Sequence, residues 1–310
     1  MSVMRSVLLA GADSVWLREK AMRWPFVRRS VSRFMPGETV DEALDACRRQ
    51  QAQHGTGTIL THLGENLSSL AEAEAITADY LALIDRISSE KLDAQVSVKL
   101  TQLGLDLGLD ACDRNLEQLV VRAESRSNIV WIDMESTKYV DPTIELFRRA
   151  RQRSPRVGLC LQSYLRRSMA DLEALLPLGA AIRLVKGAYR EPANLVFSTK
   201  AEVDENYLRL AARMLQPGVP KGTFLGIGTH DAQLVDRLRS EVAARGTDRA
   251  AYEFEMLYGI QRPLQARLVA ERAPLRVLIS YGEFWFPWYM RRLAERPANV
   301  LFVVKNVFAG

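Results

Sequence analysis

The sequence predicts one (βα)8 barrel, a ring of parallel strands that alternate with helices. Eight short runs rich in apolar and β-branched residues recur along the 310 residues, and amphipathic stretches separate them. Each interval is long enough for a strand, a helix and two loops, which is the pattern of this fold class. The predicted strands are Thr58–Leu63, Gln95–Leu100, Ile129–Met134, Val157–Gln162, Ile182–Lys186, Thr223–Thr229, Tyr252–Leu257 and Arg276–Ser280.

The stretches between these runs carry helical patterns. Residues Leu109–Ser125 place their apolar side chains on one side, and Asp204–Leu215 do the same. Residues Pro142–Arg151 begin with a proline after Asp141, which predicts a capping residue followed by proline at the first helical position. Strands and helices therefore alternate as a barrel requires.

The first 46 residues precede the first predicted strand and form a separate helical arm, which leaves residues 47–310 for the barrel. Basic residues are interleaved in this arm with Trp16, Trp24 and Phe26. Two interpretations remain open. The arm packs on the outside of the barrel, or its basic, aromatic surface touches a membrane.

Composition excludes several classes of protein. The net charge of +5 is mild, and no nucleic-acid-binding signature accompanies it. Cys47, Cys112 and Cys160 are widely spaced, which fits a reducing compartment without disulfides. No apolar run is long enough for a transmembrane helix, and residues 7–12 are too short for a secretory signal. We expect a cytoplasmic protein, with a peripheral contact at the inner membrane face as the alternative.

Polar residues collect where the predicted strands end. Because the active site of such barrels lies at the carboxyl ends of the strands, these side chains are expected to meet. A rim of structural ion pairs is the alternative interpretation of each residue taken singly. The residues at the strand ends are Lys99, Asp133, Met134, Glu135, Gln162, Arg183, Lys186, Gly187, Thr229, His230 and Asp231.

The kind of ligand follows from the residues at the fifth and sixth strands. Arg183 and Lys186 supply positive charge, and Gly187 allows the close approach of an anionic group. His230 is interpreted as a ligand contact rather than a core histidine. The glycine fingerprints of Rossmann folds and P-loops do not occur, and a total of three histidines argues against a histidine-rich metal centre.

The last segment predicts a second anion-binding element. Pro287 can begin a helix that Pro297 ends, and Arg291, Arg292 and Glu295 share a broad face of it with Trp288. The surrounding aromatic residues indicate that the helix is covered. Partly buried arginines need anionic partners, and a substrate carboxylate suits the two-pronged guanidinium.

These residues lie in motifs that resemble the monofunctional bacterial proline dehydrogenases over nearly the full chain. Any one motif is weak, but their order along eight strands is specific. The matching segments are Arg33–Glu38, Ser97–Leu100, Ile132–Glu135, Leu161–Tyr164, Arg183–Tyr189, Thr229–Asp231, Phe254–Gly259 and Arg291–Glu295.

The resemblance implies a distorted barrel whose last helix covers the substrate, with FAD bound non-covalently at the strand ends. It implies catalytic roles for Asp133 and Arg183, with Arg183 beside the flavin. It implies a substrate site for proline formed by Lys99, Leu257, Tyr281, Arg291, Arg292 and Glu295. The implied FAD contacts are Met134, Gln162, Arg183, Lys186, Gly187, Ala188, Thr229 and His230, and no metal is implied.

The implied reaction is the first step of proline catabolism to glutamate. Hydride passes from C5 of L-proline to flavin N5, giving Δ1-pyrroline-5-carboxylate, and a membrane quinone reoxidises the flavin. Two departures from the family pattern are Leu278 in place of a tyrosine and Trp288 in place of another. They leave hydroxyproline or a related cyclic amino acid as an alternative substrate. A Schiff-base lyase using Lys99 or Lys186, and a barrel without catalytic function, are the remaining alternatives.

Overall fold

The computed structural model describes residues 31–64, 67–286 and 289–290, which form a closed barrel of eight parallel strands. Each strand pairs with its neighbours in chain order, and the last pairs with the first. The strands are β1 (Gly57–His62), β2 (Ala94–Val98), β3 (Val130–Ile132), β4 (Val157–Gln162), β5 (Ala181–Val185), β6 (Phe224–Gly228), β7 (Tyr252–Leu257) and β8 (Leu275–Tyr281). The α-helices are α1 (Val40–His54), α2 (Leu70–Ser89), α3 (Leu109–Ser125), α4 (Val140–Arg153), α5 (Ser168–Leu175), α6 (Lys200–Met214), α7 (Ala232–Ala244) and α8 (Arg262–Ala270).

The predicted fold class and all eight predicted strands are confirmed, two of them with the predicted ends and the others with ends that shift by one or two residues. The third strand is shorter than predicted. The Asp133 amide still donates to the Val98 carbonyl oxygen, at 2.9 Å. By Glu135 the chain has left the strand pairing. The Glu135 carboxylate instead accepts hydrogen bonds from the backbone N–H and the hydroxyl of Thr101.

The predicted helix Leu109–Ser125 is confirmed at both ends, whereas two other starts are corrected. Tyr139, not Asp141, is the N-cap of α4, so Pro142 is its third helical residue. Proline is tolerated there because the first turn has no intrahelical acceptor for its missing N–H. Helix α6 begins at Lys200, ahead of the predicted Asp204, since Thr199 and Glu202 form a capping box.

The strands bury two apolar layers, one on each face. A large cluster lies between the strands and the outer helices, and a small cluster of Ile59, Trp131 and Ala181 fills the barrel interior. Gly158 makes room for this inner cluster, because a Cβ there would lie 2.4 Å from the Trp131 ring. These apolar side chains close the barrel below its carboxyl-end mouth, which is where active sites of this fold class lie.

Helix α1 occupies the place of the eighth outer helix. It precedes β1, yet it packs against both β1 and β8. The predicted boundary between arm and barrel at residues 46 and 47 falls within α1, and residues 1–30 lie outside the described residues. The arm therefore stays a prediction.

The chain that follows β8 packs against the residues that precede α1. The indole of Trp285 donates to Glu38 Oε1 at 2.8 Å, and the rings of Phe34 and Tyr289 lie 6.5 Å apart. Trp285, Phe286 and Tyr289 are buried, as the aromatic crowding predicted. Residues 291–310 lie outside the described residues, so a last helix over the active site stays a prediction. Within the described part of the chain, no helix has both the length and the hydropathy needed to cross a bilayer.

Candidate active site

Arg183 on β5 is the centre of a polar group inside the barrel. Its side chain is 3% exposed, and its Nε donates to the carboxylate of Glu255 on β7. Its Nη1 donates to Ser97 Oγ at 3.0 Å and to Asp133 Oδ1 at 3.1 Å. The guanidinium carbon lies 4.5 Å from the centre of the Trp131 ring. One side chain thus joins four strands.

Ser97 and Asp133 complete this polar group towards the mouth. The Ser97 hydroxyl donates to Asp133 Oδ1 at 2.9 Å while it accepts from Arg183. The Asp133 side chain is 22% exposed, in contrast to the fully enclosed Glu255. Asp133 is therefore the carboxylate of the group that a bound molecule can reach.

Burial and charge act against each other in this group. Burial disfavours the charged guanidinium, but the carboxylates of Glu255 and Asp133 outweigh it and raise the pKa of Arg183. Burial also raises the pKa of Glu255, although Arg183 acts in the opposite direction. Arg183 consequently keeps a full positive charge inside the barrel.

Gln162 and Arg183 each contribute one of the buried side-chain atoms that have no hydrogen-bond partner among the described residues. Gln162 donates from Nε2 to the Met134 carbonyl oxygen at 3.1 Å, while its Oε1 accepts nothing. Arg183 Nη2 also lacks an acceptor. Buried polar atoms are nearly always hydrogen-bonded, so one free acceptor and one free donor indicate a ligand that presents both kinds of group.

Lys186 lies in a network of two lysines and two aspartates. Its Nζ is 2.6 Å from Asp204 Oδ1 and 2.8 Å from Asp231 Oδ2, and Lys200 contacts the same two carboxylates. Partial burial acts to raise the pKa of Asp231, but hydrogen bonds from Lys186 and Lys200 hold it well below its ordinary value. Lys186, the cation predicted at the end of β5, is therefore held in place by Asp204 and Asp231, which offset its charge.

Gly187 has a specific local role. Its φ of +106° lies in the left-handed region, and a Cβ there would fall 2.1 Å from a carbon of the Tyr164 ring. The sequence predicted that this glycine allows a close approach, and the group that approaches it here is Tyr164.

His230 connects the end of β6 to β7, whereas Thr229 makes a local contact in the loop after β6. Thr229 Oγ1 accepts from the Asp231 amide at 3.2 Å, and His230 Nε2 accepts from the Leu257 amide at 2.7 Å. His230 therefore holds the end of β7, where Leu257 lies in inward register with Glu255. Ligand contact by Thr229 and His230 stays a prediction.

The other predicted site residues fall into three groups. Lys99 is half-buried at the inward register of β2, Met134 is buried, and Ala188 is exposed. Tyr281 belongs to the outer cluster, with its ring 5.2 Å from that of His62, so the structure does not bring it to the interior group. Arg291, Arg292 and Glu295 lie outside the described residues.

The sequence reasoning assigned no role to Ser97 or Glu255, although both lie in quoted motifs. A signal was present in β7, where Glu253 and Glu255 alternate with Tyr252, Phe254 and Met256. Period-two alternation of acidic and apolar residues in a buried strand indicates inward carboxylates that need cations. Glu253 meets this need with Arg276, at 3.0 Å.

The fold and this site define a barrel enzyme whose carboxyl-end mouth contains a buried arginine and unsatisfied polar atoms. A family match to proline dehydrogenase spans residues 43–305. The chain is 36% identical over 289 residues to a proline dehydrogenase from Deinococcus radiodurans, covering 90% of each chain. It is 33% identical over 307 residues to proline dehydrogenase 2 from Bacillus subtilis subsp. natto, covering 99% of each. The chain belongs to the proline dehydrogenase family, and it is an oxidoreductase of proline catabolism.

A solved structure shows the same fold. Proline utilization A from Bdellovibrio bacteriovorus, inactivated by N-propargylglycine, superposes with a TM-score of 0.79 at 23% identity. The match covers 86% of this chain and 32% of that one, so the chain spans about a third of the longer protein. This likeness supports the barrel architecture.

Proposed function

We propose that this protein oxidises L-proline to Δ1-pyrroline-5-carboxylate, with FAD as the hydride acceptor. Membership of the family implies a flavin. The observation that carries the proposal is the buried pair of unsatisfied atoms, Gln162 Oε1 and Arg183 Nη2. A flavin ring presents both N–H donors and carbonyl or ring-nitrogen acceptors, which is the complement that these atoms require.

The residues around this pair fit a flavin nucleotide. Arg183 and Gln162 would hold the ring, with the Met134 carbonyl fixing the Gln162 amide. Lys186 and the backbone of Gly187 and Ala188 would hold the phosphate-bearing part, and Thr229 and His230 would line it. The flavin supplies the redox chemistry when it is bound, and the protein supplies alignment and charge.

The substrate would bind above Arg183 on the open side of the mouth. Lys99, Arg291 and Arg292 would bind the proline carboxylate, and Glu295 would pair with one of these cations. Asp133 would form part of the polar network on the substrate side, and Leu257 would pack against the ring. Tyr281 packs in the outer cluster, so it would affect the substrate only indirectly, by supporting β8. Such alignment of the reacting carbon supplies much of the rate enhancement in hydride transfer.

The same proposal includes the electron acceptor and the location. Electrons would leave to a membrane quinone, and the basic arm in residues 1–46 would provide a peripheral contact for an otherwise cytoplasmic protein. Quinone reduction measured with and without anionic vesicles tests this part separately.

Spectroscopy of the purified protein tests the central proposal. We expect a flavin absorbance spectrum, FAD in the mass spectrum of the heat-released cofactor, and bleaching on anaerobic addition of L-proline. Pyrrolidine, which has the ring but no carboxylate, is the matched control and should bleach the flavin far more slowly. Finding no flavin after reconstitution with FAD would contradict the proposal.

A further inference from the structure

We propose that Glu255 is a positioning residue for Arg183, which fixes the direction of its guanidinium and offsets part of its charge beside the flavin. This inference rests on the proposed function, because it concerns the group that Arg183 faces. Glu255 touches Arg183 and is not expected to touch substrate or flavin.

The hydrogen bonds of Arg183 define its orientation. Glu255 accepts from Nε, and Ser97 and Asp133 accept from Nη1, which leaves only Nη2 without a partner. A planar guanidinium that is hydrogen-bonded at both Nε and Nη1 is fixed in orientation. Nη2 is therefore presented in one direction, and Glu255 supplies the tether nearest the backbone of Arg183.

The surroundings of Glu255 are arranged for this single contact. Its side chain is 3% exposed, and its second oxygen, Oε1, has no hydrogen-bond partner among the described residues. Gly226 on β6 provides the necessary space, because a Cβ there would lie 2.3 Å from Oε1 and 3.3 Å from Arg183 Cα. Among the described residues, Arg183 is therefore the hydrogen-bond partner that the Glu255 carboxylate holds.

The charge of Glu255 has a further consequence for a flavin bound beside Arg183. A bare buried arginine would strongly favour the added negative charge of the reduced ring. A carboxylate on Nε weakens that field and lowers the tendency of the flavin to accept electrons. Glu255 thus holds the bound flavin at a more negative potential, which favours passing electrons to the acceptor.

The test is a redox titration of the flavin-loaded enzyme against reference dyes. Glu255→Gln keeps an oxygen for Arg183 Nε but removes the charge. We expect its flavin to be reduced more readily, by about tenfold in the reduction equilibrium, or about 30 mV for a two-electron couple. Glu253→Gln is the matched control, because Glu253 is buried on the same strand and pairs with Arg276 instead. Equal potentials in the two variants would overturn the inference.

A second variant separates orientation from charge. Glu255→Asp keeps the charge on a shorter side chain, so we expect a potential near that of the wild type and a roughly ten- to hundredfold slower flavin reduction at saturating proline. A rate equal to the wild-type rate would overturn the positioning role. So would a lower unfolding midpoint of Glu255→Asp that Glu253→Asp does not share, because Glu255 would then serve the fold. A wild-type protein without flavin would instead refute the proposed function itself.

Discussion

At the scale of the residue, Leu278 lies beside the proposed position of the substrate ring. Leu278 packs on the inner cluster, and its register partner on β7 is Leu257, the proposed contact for the proline ring. The family pattern that the sequence resembles implies a tyrosine at this position. We expect Leu278→Tyr to raise the preference for proline over 4-hydroxyproline by about ten- to a hundredfold, as apolar pockets discriminate by about 1–3 kcal/mol. The measurement is kcat/KM for both substrates in both proteins, and an unchanged ratio would show that position 278 does not set specificity.

Gly187 gives a second prediction at this scale. Gly187→Ala places a methyl group into the Tyr164 ring and holds a non-glycine residue at a φ of +106°. We expect a loss of unfolding free energy above about 2 kcal/mol together with weaker flavin retention, measured by denaturant titration and flavin content.

Gly218→Ala is the matched control for that variant. Gly218 also has a positive φ, of +85°, but no heavy atom lies within 4 Å of a Cβ built there. Its cost should be limited to backbone strain of about 1–2 kcal/mol. Equal losses in the two variants would mean that contact with Tyr164 contributes nothing.

The site residues show why sequence reasoning reached some positions and not others. Asp133 and Arg183 could be found because a strand-end or inward position marks them, and the structure joins them at 3.1 Å. Ser97 was passed over because a serine in a strand carries no charge that demands a partner. The 72-residue separation between Arg183 and Glu255 is closed only by the barrel, so their pairing required the register of β5 to β7.

At the scale of the element, Asp231 links the end of β6 to the start of α7. It accepts from the Gln233 amide as the N-cap of α7 and from the ammonium groups of Lys186 and Lys200. Asp231→Asn keeps a good N-cap residue but loses the charge, which leaves the two lysines to share Asp204. We expect a loss of about 1–3 kcal/mol in unfolding free energy at neutral pH.

The pH dependence of this loss follows from the lowered pKa of Asp231. A carboxyl group with a depressed pKa in the folded state stabilises the fold above its ordinary pKa, which is 3.8, and loses that effect as the pH falls through the depressed value. The difference between wild type and Asp231→Asn should therefore be constant above pH ~5 and shrink below pH ~4. Denaturant titrations across this range test the sign, and a difference that grows in acid would contradict it.

Helix boundaries were predictable where one residue controls them. Thr199 and Glu202 mark the start of α6 as a capping box, a signal that was available in the sequence but was passed over for the apolar pattern further on. The start of α4 was different, because the 3₁₀ turn Thr137–Tyr139 leads directly into it and moves the cap ahead of Asp141. Tertiary contacts set that boundary, including hydrogen bonds from the backbone and hydroxyl of Thr137 to the Glu191 carboxylate.

At the scale of the whole molecule, the order of elements completes the ring before the segment that follows β8. Alternation of strands and helices predicted the ring, but not that α1 would take the eighth place in it. Because α1 supplies the eighth outer helix, the ring does not require a helix from the segment after β8. In that segment, Trp285 donates to Glu38 and Tyr289 lies against Phe34.

That arrangement yields the last prediction, which concerns the arginines just beyond the described residues. If the segment after Tyr289 serves the substrate and not the ring, Arg291→Met and Arg292→Met should each leave flavin content and the unfolding midpoint close to those of the wild type. Each should raise KM for proline about ten- to a hundredfold, since a lost charge-assisted contact to a carboxylate costs about 1.5–3 kcal/mol. Steady-state kinetics beside flavin absorbance and thermal unfolding make the measurement. A matched loss of stability and affinity would assign these arginines to the fold, and an unchanged KM in both variants would remove them from the substrate site.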